Sequence, residues 1–103
     1  MLFKRRYADV IARQLELFER EHADLIVRCR EAELAYDRAP REEAEERYGD
    51  YVDLVEEGTE ALADIRDHYA STLEPKAAAE YEHAFNRAVV KRLPRFALEI
   101  ENR

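Results

Sequence analysis

LELFEREHADLIVRCREAELAY, residues 15–36, is the stretch whose reading decides the fold. Leu15, Phe18, His22, Leu25, Cys29, Ala32 and Tyr36 fall three and four apart without a gap. That spacing puts them on one edge of a helix, and so long an apolar edge has to press along another helix. The second half of the chain repeats the beat with Tyr48, Tyr51, Val55, Gly58, Leu62, Ile65, Tyr69 and Thr72. Two matched seams on either side of a proline-marked break predict a long antiparallel helical hairpin of coiled-coil character.

Boundaries follow from the punctuation. Phe3, Tyr7 and Ile11 extend the first seam upstream, and neither glycine nor proline interrupts it, so helix 1 is expected over about 3–37. Asp37-Arg-Ala-Pro40 supplies the break, with Glu42 and Glu43 following where a helix N-terminus favours acids. Helix 2 is expected over about 40–71. Ser71-Thr-Leu-Glu74-Pro75 then reads as the cap of helix 3, about 75–93, whose face carries Ala78, Tyr81, Phe85, Ala88, Val89 and Arg92. A tail, 94–103, begins at Pro94. A first turn at 37–40 makes residues whose numbers add to about 77 face each other, which sets Phe18 and His22 against Gly58 and Thr59. Gly58 there permits a close approach of the large pair.

At 103 residues the chain is one domain, 1–103, with room for a single core. Charged residues make up 40% of it and only 2 are glycine, which is the composition of long helices with solvated outer faces and leaves no place for a sheet. A net charge of −7 makes it an acidic protein that repels phosphate backbones, so no nucleic-acid partner is expected. Lys91, Arg92 and Arg95 fall, by the same register, beside the acidic stretch Glu42 to Glu60 and read as an internal electrostatic match. No run of 18 apolar residues exists, and the start Met-Leu-Phe-Lys-Arg-Arg is not followed by a signal-like apolar segment. The expectation is a cytoplasmic protein without a membrane partner.

Helix 3 is about half as long as the hairpin, so part of the apolar surface needs another cover. The tail holds Phe96, Leu98 and Ile100 and could fold, kinked, over Tyr48 and Tyr51; otherwise a second subunit completes the bundle. All six tyrosines lie on or near the seams, giving wide amphipathic faces typical of helix interfaces that keep some water. The sequence therefore predicts a homodimer, or a complex with a partner helix, formed through Tyr48, Tyr51, Val55, Phe96 and Ile100. The function expected is that of a non-catalytic interaction or scaffold protein, with no cofactor and no enzymatic activity.

One alternative carries chemistry. Glu19-x-x-His22 and Glu80-x-x-His83 have the spacing that in ferritin-like di-iron proteins aims carboxylate and imidazole at a metal pair in a helical bundle. A small metal-carboxylate protein centred on Glu19 and His22 is the rival. Against it, Glu80 and His83 point away from the apolar face of helix 3, and Asp53, Glu56, Glu57 and Glu60 of helix 2 turn outward. The bland reading pairs His22 with Thr59 or backbone. Cys29 and Ser71, the only cysteine and serine, are a buried thiol and a cap by position, and the two glycines are isolated inside helix 2 rather than in a phosphate-binding loop. Period and composition of this kind are shared by too many helical lineages to mark one.

Overall fold

The computed structural model describes residues 6–103. Every described element is helical: α1 (Ala8–Glu21), α2 (Ala23–Arg38), α3 (Arg41–Ala70), α4 (Pro75–Arg92), a 3-10 turn (Pro94–Phe96) and α5 (Ala97–Ile100). The all-α expectation is met, with no strand among the described residues. The upstream extension of helix 1 to Phe3 lies outside them.

The first seam does not belong to one rod. His22 leaves helical geometry at φ −114° and ψ 29°, so the expected helix 1 is two helices joined at a single residue. Neither glycine nor proline causes the bend. The two halves of the seam serve different neighbours: α1 packs on α4, through Tyr81 Oη donating to Gln14 at 2.8 Å and Arg92 pairing with Glu19 at 2.7 Å, whereas α2 packs most closely on α3. Tertiary packing outweighs the continuous helical propensity of the sequence. His22 stacks on Phe18 at the bend, with ring centroids 4.9 Å apart.

The chain reverses at Ala39-Pro40, where Ala39 and Pro40 are extended and α3 begins. Register across the reversal differs from the expected one. Tyr36 lies against Tyr48 at 5.2 Å, about two turns beyond the position the first-turn register assigns it. At the other end of α3, the hydroxyls of Ser71 and Thr72 donate to the carbonyls of His68 and Tyr69. They close α3; α4 opens on Glu74 and Pro75 with no side-chain cap, so the expected cap acts on the preceding helix instead.

The interior lies at one end. Phe18, Tyr81, Phe85, Phe96, Leu15, Leu62, Val89 and Ile100 are fully buried and form one cluster drawn from α1, α3, α4 and the tail. Phe96 fills the space that Gly58 leaves open: a Cβ on Gly58 would lie 2.4 Å from Phe96 Cε1. The close approach at Gly58 is therefore real, but its occupant is the tail and not Phe18 with His22. Arg66, only 4% exposed, ties the same region together, its Nη1 donating to Asn86 Oδ1 and to the carbonyl of Ile100, both at 3.0 Å, while Nε pairs with Asp67. No buried side-chain polar atom among the described residues lacks a partner. We call this end, residues 7–29 and 58–100, the head.

Between Cys29 and Gly58 no residue is buried. The distal part of α2 and the first half of α3 project as a two-helix arm, its apolar face covered only at the base, where Leu54 and Val55 meet the core and Arg95 lies on Tyr51. Its effect on the envelope is large: the molecule measures 51 × 23 × 23 Å with a radius of gyration of 15.6 Å, against about 13 Å for a compact chain of this length.

Candidate functional site

Large apolar side chains are exposed on the outside of the head, at Leu17, Val27, Val90 and Leu98, but on the arm they are exposed with no buried layer beneath them. Tyr48 is 51% exposed, Leu34 48% and Tyr36 39%, while Tyr51, Val52, Leu54 and Val55 are half-buried along α3. From α2, Tyr36 lies against the Tyr48 ring at 5.2 Å and leaves it exposed. The phenols keep their hydroxyls in reach of water, so the exposure is tolerable in the free chain.

At the base of the arm a cation is already seated. Arg95, just after α4, donates from Nη1 to Tyr51 Oη at 3.0 Å and to Glu33 at 3.2 Å, with its guanidinium 5.6 Å from the centroid of the Tyr51 ring. Burial works against the charge, but Tyr51 and Glu33 outweigh it and hold the guanidinium above its ordinary pKa. The internal match expected for the basic cluster thus exists, with different partners: Arg95 takes Glu33 and Arg92 takes Glu19, both from the first half of the chain and not from the acidic run of α3.

The five residues predicted as one interaction surface separate into two groups. Tyr48, Tyr51 and Val55 lie on the arm. Phe96 and Ile100 lie in the head's core, 1% and 0% exposed, where the tail has docked on its own chain over Gly58 and beside Arg66 and not over Tyr48. Arg66 was not singled out in the sequence, although its place four residues after Leu62 in the seam is a readable signal for a buried, partnered cation.

The residues of the rival reading are otherwise engaged. Glu19 accepts from Arg92, and His22 stacks on Phe18, while Thr59, the partner expected for His22, donates to the carbonyl of Val55 at 2.8 Å. Glu80 faces Arg6 at 3.9 Å. Among the described residues no three His, Cys, Asp or Glu side chains gather closely enough to hold a metal ion. Cys29 is fully buried, and burial pushes its thiol up, with Arg95 and Arg28 offsetting only part of this; a protonated, enclosed thiol is a poor nucleophile. An open groove between α1 and α4 is lined by the apolar Ile11, Leu15 and Ala84 and by His83, Arg87 and Lys91; of its lining residues Tyr7 alone carries a hydroxyl, which donates to the carbonyl of Ala77, and none carries a thiol. No helix among the described residues is long and apolar enough to cross a membrane. Compared with models of protein families, with curated proteins and with solved structures, the chain matches none.

Proposed function

We propose that this chain is a non-catalytic interaction protein: a helical hairpin with a shorter third helix that covers only its base, so that the uncovered part is the surface offered to another molecule. The observation that carries this reading is that no residue between Cys29 and Gly58 is buried, on helices whose shared face holds Tyr36, Tyr48, Tyr51 and Val55. A two-helix arm gains by acquiring a third layer, since each large apolar side chain taken out of water contributes on the order of 1–2 kcal/mol. The head's core already has a cover in the tail, through Phe96 and Ile100. The homodimer expected from the sequence would use the same arm, Phe96 and Ile100 being occupied within the chain.

The test is site-specific photocrosslinking in the native host, with p-benzoylphenylalanine replacing Tyr48 on the arm or Val90 on the exposed side of α4. A discrete adduct from position 48 and none from position 90 is the expected result. Adducts from both, or from position 90 alone, would remove the arm from its proposed role.

A further inference from the structure

The charge of the arm bears on what covers it. Residues 30–57 hold eleven Asp and Glu against four Arg, a net of −7, whereas the rest of the chain holds thirteen acidic and thirteen basic residues. The whole excess of the molecule therefore lies on its uncovered part. Only three of those eleven acids are in ion pairs among the described residues: Glu33 with Arg95, and Glu43 and Asp50 with Arg47. The other eight are exposed on the arm and in no ion pair among the described residues.

Two identical arms laid face to face would bring −7 against −7 within the roughly 8 Å over which charges at physiological salt still interact. Nucleic acid and anionic membrane are repelled for the same reason. A helix with an apolar stripe and lysines or arginines beside it meets both requirements, its stripe on Tyr36, Tyr48, Tyr51 and Val55, its cations on the acids, their aliphatic stems extending the apolar cover. The molecule already contains one instance of this chemistry in the clasp of Arg95 by Tyr51 and Glu33.

Resting on the interaction reading above, we propose that the arm docks a basic amphipathic helix of a partner protein. Residues 41–57 run for about 25 Å, which accommodates roughly 17 residues of that helix.

The experiment uses the full chain and three synthetic peptides of about 18 residues. One is an amphipathic Leu–Lys helix, the second has the same composition scrambled to destroy the stripe, and the third is the Leu–Glu counterpart. Binding is followed by calorimetry and by backbone amide shifts, with sedimentation velocity on the free chain. The Leu–Lys helix is expected to bind with shifts confined to residues 30–57 and to weaken by at least about tenfold between low and roughly 0.5 M salt. Tyr36→Ser/Tyr48→Ser, and separately Glu42→Gln/Glu45→Gln/Glu46→Gln, are each expected to weaken it about tenfold; the second variant leaves the apolar face intact should the first lose its fold. Equal binding of the scrambled peptide would reduce the effect to charge alone and overturn the proposal. Equal binding of the Leu–Glu helix on the arm, or arm-mediated self-association, would overturn the basic partner while leaving the arm as the working surface. Shifts that avoid the arm for every probe would overturn both.

Discussion

One helix, α3, passes through two environments. Its second half, from Gly58 to Ala70, runs through the head and has Gly58, Thr59, Leu62, Ala63, Arg66 and Ala70 buried; its first half, from Arg41 to Glu57, has none. The apolar period is the same in both halves. What differs is the supply of neighbours: the head receives α1, α4 and the docked tail, the arm α2 and, at its base, Arg95. An amphipathic pattern therefore specifies a face that is fit for burial without specifying that the chain itself buries it.

Side-chain truncation separates the halves most strongly. Phe18→Ala, in the head's core, is expected to cost about 3–5 kcal/mol by urea denaturation, and Tyr48→Ala about 1 kcal/mol or less. Similar losses at both sites would show the arm to be as well packed as the head.

High pH bears on the head through Tyr81. Tyr81 is fully enclosed against Tyr7, Tyr69 and Phe85, and burial raises its phenol from 10.0 to about 12, the hydrogen bond to Gln14 only partly opposing this. The folded state holds the proton more tightly than the unfolded one. The stability this contributes, on the order of 2–3 kcal/mol, is fully present below pH 10 and is lost as the pH rises through about 12. Tyr81→Phe should remove that alkaline loss from a stability–pH curve, at a cost near 1 kcal/mol at neutral pH from the orphaned Gln14. An unchanged alkaline limb would place the titrating group elsewhere.

The two glycines of α3 give the finest comparison. At Gly49, on the arm, an added Cβ meets nothing within 4 Å, so Gly49→Ala should gain about 1 kcal/mol of helix propensity. At Gly58 the same change drives a Cβ into the Phe96 ring and should lose about 1–2 kcal/mol in spite of that gain. In a Phe96→Ala background Gly58→Ala should become stabilising, and thermal denaturation of the four proteins closes the cycle. A destabilising Gly58→Ala in both backgrounds would mean that Phe96 is not what the glycine accommodates.

Much of the fold was legible because helical period is a local property. Seams, the break at Pro40 and the start at Pro75 each follow from a few neighbouring letters, and α3 and α4 begin within a residue of expectation. The bend at His22 was not legible, because neither glycine nor proline marks it; it falls where the main packing changes, α1 lying on α4 and α3 and α2 chiefly on α3. Docking of the tail was legible as one of two outcomes, and Gly58 marked a close approach without naming Phe96 as the visitor. For the candidate surface, Tyr48, Tyr51 and Val55 could be found as tyrosine-rich seam positions, whereas Phe96 and Ile100 look identical in sequence whether they cover their own chain or another. Such choices are set by long-range packing, which no local pattern records.

Hydrogen exchange along α3 tests the division between head and arm most directly, because both halves belong to one unbroken helix and differ only in what covers them. In the free chain at low concentration, amides of residues 45–57 should exchange at least about a hundredfold faster than those of residues 62–70, reflecting local opening of the arm without the head. Uniform protection from one end of α3 to the other would contradict this, and would mean that the arm is covered or that the molecule opens only as a whole.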